Sequence, residues 1–305
     1  MTILLIISLC ALLPLHLRGK SVRYSVVFDL TQSSRFGAEN LLSGHKLIFS
    51  LQEKILPPSL TEENTALNKS TGIAYRLAKA VILDNVASHF TYLVQHEVFG
   101  HGARYREFGY QNIQYELHLF FPWGSGKGWT RGQGAPSDHW VTHHEWMMAA
   151  TGGVEANSLL ARRLRMNWLQ RGQMTYGESM LYLYTANDLL AYIWRTRWKI
   201  RGQSGNDILH WLSRLNSYEG HLFKEDYPLT LDDLCRHSWA NLLSPFNYLA
   251  LYSLFVPYLW NGEIRSEIPM IRIRGLKYLP SLRIGLTPYG TEFIQENYIK
   301  KGKRL

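Results

Sequence analysis

The sequence predicts a mainly α fold: a helical core, a small C-terminal β-hairpin region, and helices that associate with a membrane. Three observations carry this. From Thr71 to Phe108 the chain has no proline and repeats apolar residues at three-and-four spacing. A second helical run covers Ser137 to Met166, and alternation of apolar with polar residues sets in after Ile268. The organisation expected is a leader over residues 1–20, a helical domain over 21–267, and a β-hairpin with a basic tail over 268–305.

The leader is an apolar run from Ile3 to Leu17 that ends at Arg18, Gly19 and Lys20. It has signal-peptide length and is short for a membrane span. No Lys or Arg precedes it and no small-x-small cleavage site follows, so it reads as a signal peptide or a retained anchor. Either places the protein in a membrane-associated or exported setting. Once it is removed, Cys235 is the sole cysteine and no internal disulfide can form.

The first helix places Val86, Phe90, Leu93, Val94 and Val98 on one apolar face, and Gly109 can close it. Arg104 and Arg106 near its end read as charges that complement the helix dipole. Within its last turns lies His96-Glu97-Val98-Phe99-Gly100-His101, two histidines bracketing a glutamate. In the usual H-E-x-x-H spacing both imidazoles leave one helix face and the Glu can act on metal-bound water. Here the histidines are five apart, which on an ideal helix separates them by roughly 140°. An inserted residue, as a π-bulge, returns positions i and i+5 to nearly one face. Gly100 suits that distortion because it has no side chain and tolerates unusual backbone angles.

A catalytic zinc takes three protein ligands and keeps one position open. The third candidate is Glu155, on the second helix, for which Pro136, Ser137 and Asp138 make a cap and Arg162, Arg163 and Arg165 a basic end. Ala149, Ala150, Gly152 and Gly153 leave its surroundings without bulk, so another helix can come close. His144 precedes Glu155 by eleven residues, close to three turns, and so points to the same cleft, where it could stabilise an oxyanion or position substrate. His139 and His143, four apart, form a separate pair on another face.

The H-E-x-x-G-H arrangement, with glycine before the second His and a Glu on a later helix, resembles the zinc motif of the dipeptidyl-peptidase III family. The resemblance implies His96 and His101 as zinc ligands, Glu97 as catalytic base and Glu155 as third ligand, with Zn2+ as cofactor and a peptide or protein as substrate. It covers two short segments. Leu159 stands where the family's supporting acid would be, leaving Asn157 or Ser158 to support the ligand instead.

Composition adds a setting. A net charge of +9 suits an anionic membrane surface or nucleic acid, and no nucleic-acid module is recognisable, so membrane association is expected and nucleic acid is not. Ten Trp and eighteen Tyr fit membrane interfaces and binding grooves. Leu242 to Trp260 carries no charge and has the length of a span, while Pro245, Asn247 and Pro257 interrupt it. It reads equally as a core helix, a re-entrant hairpin or a transmembrane helix. Met180 to Trp198 is apolar and aromatic around Asp188 and ends in Arg195, Arg197 and Lys199. The glycine-rich run from Phe121 to Pro136 reads as a mobile lid between the two site helices. Met270 to Arg274 and Leu282 to Thr287 read as hairpin strands. The function expected is a zinc metallopeptidase with Glu97 as general base; the alternative is a non-catalytic membrane-associated protein with structural metal or none.

Overall fold

A computed structural model describes residues 26–58, 65–134, 141–198, 206–217 and 228–302, so the leader over residues 1–20 and His139 lie outside the described residues. Among the described residues the chain is mainly helical, with three small antiparallel sheets. Helix α1 (Ser34–Ile55) is followed by one continuous helical rod. The rod comprises α2 (Ala66–Lys79), a π segment π1 (Ala80–Asp84), α3 (Asn85–His96), a second π segment π2 (Glu97–His101) and α4 (Gly102–Glu107). Phe108 and Gly109 end it, Gly109 at positive φ.

The expected helix from Thr71 to Phe108 is therefore present and starts earlier, at Ala66, where the Thr65 hydroxyl accepts from the Asn68 N–H. A hairpin follows, β1 (Gln111–Leu117) with β2 (Gly128–Gln133). Within the glycine-rich run Gly128–Gln133 is a strand, because β2 finds a partner in β1, and the lid reading is corrected over those residues.

Helix α5 (His143–Arg171) is the long central helix. It begins at His143, where Thr142 and Glu145 close a reciprocal capping box, and Gly172 at positive φ ends it; the expected cap at Pro136, Ser137 and Asp138 lies outside the described residues. The strand β3 (Gln173–Thr175) leads into α6 (Tyr176–Ala186) and α7 (Asp188–Trp198). The apolar stretch from Met180 to Trp198 is therefore two helices, broken at Asn187. Then come α8 (Asp207–Ser217), α9 (Leu231–Ser238), a 3-10 turn (Trp239–Leu243), α10 (Pro245–Ser253) and a third π segment, π3 (Leu254–Trp260).

No single described helix is long and apolar enough to cross a membrane; Leu231–Leu243 and Pro245–Trp260 together have the length and apolarity but meet at 61°. The short strand β4 (Arg265–Glu267) pairs with β3, and β5 (Ile271–Ile273), β6 (Leu276–Thr287) and β7 (Gly290–Lys300) form an antiparallel meander. The C-terminal β region expected from alternation is present; β5 is shorter than Met270 to Arg274, whereas β6 extends well before Leu282.

Helix α5 is the axle of the packing. Leu160, Leu164 and Trp168 pack with Leu42 of α1, Tyr182 of α6, Phe246 of α10 and the β-meander residues Leu279 and Tyr298. Met147 and Val154 pack on the other side with Ile193, Trp211 and Ile284. The meander thus shares both cores with the helices.

Beside the first core lies a buried imidazole. The Nε2 of His45 is 3.1 Å from the Ser88 hydroxyl, and burial pushes the ring down to about 3 against the opposing pull of Glu178. In the unfolded chain this His takes its proton near its ordinary 6.5. Its contribution to stability is therefore complete above pH 6.5 and is lost as the pH falls toward 3, by about 2 kcal/mol between pH 6.5 and 5. Thermal unfolding at pH 7 and pH 5 checks this: His45→Asn should show a smaller acid-side drop in Tm than the wild type, and equal drops would refute it.

Candidate metal centre

The five-residue spacing is resolved as the residues require: π2 spans Glu97–His101. The wider turn brings the two imidazoles together, with His96 Nε2 and His101 Nε2 3.2 Å apart. Both rings are buried. Their other nitrogens are engaged, His96 Nδ1 at 2.8 Å from Asp188 Oδ2 and His101 Nδ1 at 2.7 Å from the Ala149 carbonyl oxygen. A carboxylate and a carbonyl can only accept, so both Nδ1 atoms carry a proton and the two Nε2 atoms are left facing each other. That juxtaposition is repulsive unless a proton or a cation lies between them.

The third group is Asp207, at the first position of α8, with Oδ2 3.3 Å from His101 Nε2. Ligand atoms each 2.0–2.1 Å from an ion at the tetrahedral angle stand about 3.3 Å apart, the separation seen for both pairs. His96, His101 and Asp207, with ligand atoms all within 4.8 Å of one another, form a group that could hold a metal ion. The Asp207 side chain is 30% exposed whereas the imidazoles are buried, so the group opens to solvent on the Asp207 side.

The charges are mutually stabilised. Burial works against protonating His101, but the Asp207 carboxylate outweighs it and pushes the ring up to about 10. Burial also opposes protonation of His96, and Asp188 overcomes it. Conversely, burial alone would raise Asp207 and Asp188, and the neighbouring imidazoles hold each below the ordinary carboxylate range.

Supporting residues surround these groups. Asn157 Nδ2 donates to Asp188 Oδ2 and the Tyr92 hydroxyl donates to Asp188 Oδ1, both at 2.8 Å. Asn157, expected from the sequence to support Glu155, instead bonds Asp188, the partner of His96. The Tyr192 hydroxyl donates to Asp207 Oδ2 at 2.9 Å. Glu97 is buried, and its Oε2 accepts from the Thr130 hydroxyl at 2.7 Å, so β2 lies directly on the π turn.

Glycines set the approach of the rod to α5. A Cβ on Gly100 would stand 2.5 Å from Gly153 Cα and 2.7 Å from the Gly152 carbonyl oxygen. Gly100 is not in the positive-φ region. Its role is therefore close backbone approach, in place of the unusual angles expected from sequence. A Cβ on Gly153 would land on the His96 ring.

Glu155 is not the third group. It follows Gly152 by three residues and faces the same side, toward Arg104, whose Nη2 donates to its Oε2 at 2.7 Å. The guanidinium already neutralises the carboxylate, and the small-residue face expected to let Glu155 reach a metal instead admits the backbone of π2 and the ring of His96. His144 is also corrected. It sits in the first turn of α5 with its ring 5.4 Å from that of Tyr289, where β6 turns into β7, and the three-residue group forms without it. Arg106 is more than a dipole charge, since it donates to the carbonyls of Gln32 and Val98 and to the Tyr115 hydroxyl.

Sequence reasoning missed Asp188 and Asp207. A lone Asp inside an apolar aromatic stretch was a signal for Asp188, because such a carboxylate must find a partner. Asp207 gave none, lying more than a hundred residues from His101 at the start of a separate helix. A cavity of about 590 Å3 between α1 and the end of α5, lined by Lys46, Glu53, Arg163, Arg171 and Glu178 among others, contains none of the metal-compatible group. No protein family, no curated protein and no solved structure matches this chain.

Proposed function

We propose that the protein is a zinc-dependent hydrolase acting on peptide bonds, with His96, His101 and Asp207 as the metal-holding residues and Glu97 as general base. The observation that supports it most is the convergence of the two Nε2 atoms, 3.2 Å apart, with the Asp207 carboxylate while both Nδ1 protons are committed elsewhere. Two imidazoles and one carboxylate make a donor set that zinc hydrolases use, and three ligands with a solvent-facing side suit catalysis better than a closed structural site. When bound, the metal supplies Lewis acidity to a carbonyl and lowers the pKa of a water to about 7.

The chain's own residues do the rest. Asp188 and the Ala149 carbonyl hold the imidazoles in the ligating tautomer, and Tyr192 orients Asp207. Thr130 holds one oxygen of Glu97, leaving the other to accept a proton from water and pass it to the leaving amine. The peptide substrate follows the resemblance of the H-E-x-x-G-H motif, since the same chemistry serves other hydrolases.

Metal analysis of purified protein tests the assignment. Wild type and Glu155→Ala are expected to hold stoichiometric zinc, whereas His96→Ala and Asp207→Ala lose it. Wild type without zinc removes the reading, and retention by Asp207→Ala with loss by Glu155→Ala would replace the third ligand.

A further inference from the structure

Two neighbouring helical segments are apolar on their exposed faces while polar groups lie buried beneath. From Leu242 to Trp260 there is no charged residue, and every exposed position is apolar or aromatic. Tyr248, Leu251, Tyr252, Phe255 and Val256 recur at three-and-four spacing on the outer face of α10 and π3, with Phe255 60% exposed. On the inner face Ser244, Asn247 and Ser253 are buried beside the core residues Phe246, Ala250 and Tyr258.

The same inversion holds in the rod. Between Ala74 and Asp84 every exposed position is apolar, Leu77, Val81 and Ile82 being the large ones, while Arg76, Lys79 and Asp84 are buried. Lys79 Nζ binds both Asp84 oxygens at 2.8 and 2.9 Å and the Tyr176 hydroxyl at 2.7 Å.

These segments are neighbours. Arg76 Nε donates to the Leu259 carbonyl at 2.9 Å, and Lys69 Nζ lies 4.5 Å above the Trp260 ring. A helix facing water does the reverse, turning its charges out and its Leu, Val and Phe in. Hydrocarbon removes the cost of the exposed apolar face and makes it favourable to satisfy polar groups internally. Lys69 over Trp260 supplies an aromatic and cationic edge of the kind that sits at headgroup level. The net charge of +9 is complementary to anionic headgroups.

We infer that α2–π1 and α10–π3 form a surface that lies against the acyl chains of an anionic lipid bilayer. This stands independently of the metal reading. Because π1 continues into α3, His96 is held about 20 Å along the same rod from Ile82, at ~1.5 Å per residue.

A local probe tests the surface without interference from the N-terminal apolar segment. In the full chain with Cys10 and Cys235 replaced by Ala, single cysteines at Phe255→Cys, Val81→Cys and, on the exposed face of β7, Glu292→Cys are labelled with an environment-sensitive fluorophore. Phosphatidylcholine vesicles with or without phosphatidylglycerol, carrying nitroxide-labelled acyl chains, are then added. Probes at 255 and 81 should shift to the blue and lose most of their emission with the anionic vesicles and less with the neutral ones, while the probe at 292 keeps its aqueous spectrum.

Equal behaviour at all three positions would overturn the inference. So would shielding of positions 255 and 81 from aqueous iodide before any lipid is added, which would identify a protein partner or a second copy as the cover. Circular dichroism of the labelled variants confirms that each retains wild-type helicity.

Discussion

Glu97→Gln is expected to keep zinc at the wild-type level and to lower turnover by about 10²–10⁴-fold. The amide is nearly isosteric with the carboxylate and can still accept from the Thr130 hydroxyl, whose bond to Glu97 Oε2 is 2.7 Å. Being buried, the side chain also loses a charge without leaving a cavity. What it loses is the ability to accept a proton. Zinc content and Tm measured beside kcat separate the base from a structural residue: a base affects kcat alone, while a packing role lowers Tm as well. Full activity in the variant would remove Glu97 from the chemistry.

Gly153→Ala is expected to abolish zinc binding although it adds one methyl group. That methyl would occupy the His96 ring position, and His96 cannot retreat without breaking the bond from Nδ1 to Asp188. Gly100→Ala meets backbone instead, Gly153 Cα at 2.5 Å, so the rod and α5 must separate. We expect about 1–3 kcal/mol of overpacking cost, offset in part by the ~1 kcal/mol that Ala gains over Gly within a helix.

Gly44 is the control, because nothing lies within 4 Å of its added Cβ. Gly44→Ala in α1 should raise stability by up to about 1 kcal/mol. Zinc content and thermal unfolding of the three variants check the set. Wild-type zinc content in Gly153→Ala would mean that His96 does not lie over α5 as described.

The long rod was legible because its signal is local: a proline-free stretch with apolar residues every three or four positions can bury one stripe only as a helix. The π turn was legible for a related reason, since two histidines five apart share a target only if the helix gains a residue there. Helix starts were less secure. Ser137 and Asp138 offered cap chemistry equal to that of Thr142, and among the described residues the capping box of Thr142 with Glu145 starts the helix at His143.

The β1–β2 hairpin was obscured because strand pairing depends on a partner eleven or more residues away, and the glycines of the run from Phe121 to Pro136 resemble those of a loop. Gly128 is in fact small because its added Cβ would meet Leu93 and Glu97. The uncharged run from Leu242 to Trp260 gave apolarity without direction. Only packing showed that Asn247 and Ser253 turn inward and Phe255 outward.

By itself the sequence determined the helical class, the rod from its apolar period, the C-terminal strands from their alternation, and the pair His96 and His101 with Glu97 between them. These rest on residues within a few turns of each other, where covalent geometry fixes the spacing. The tertiary structure alone decided the third group. Glu155 and Asp207 are both carboxylates on helices distant in sequence, and neither composition nor period distinguishes them. Packing does: the close approach at Gly100, Gly152 and Gly153 turns Glu155 onto Arg104, while the start of α8 brings Asp207 to 3.3 Å from His101.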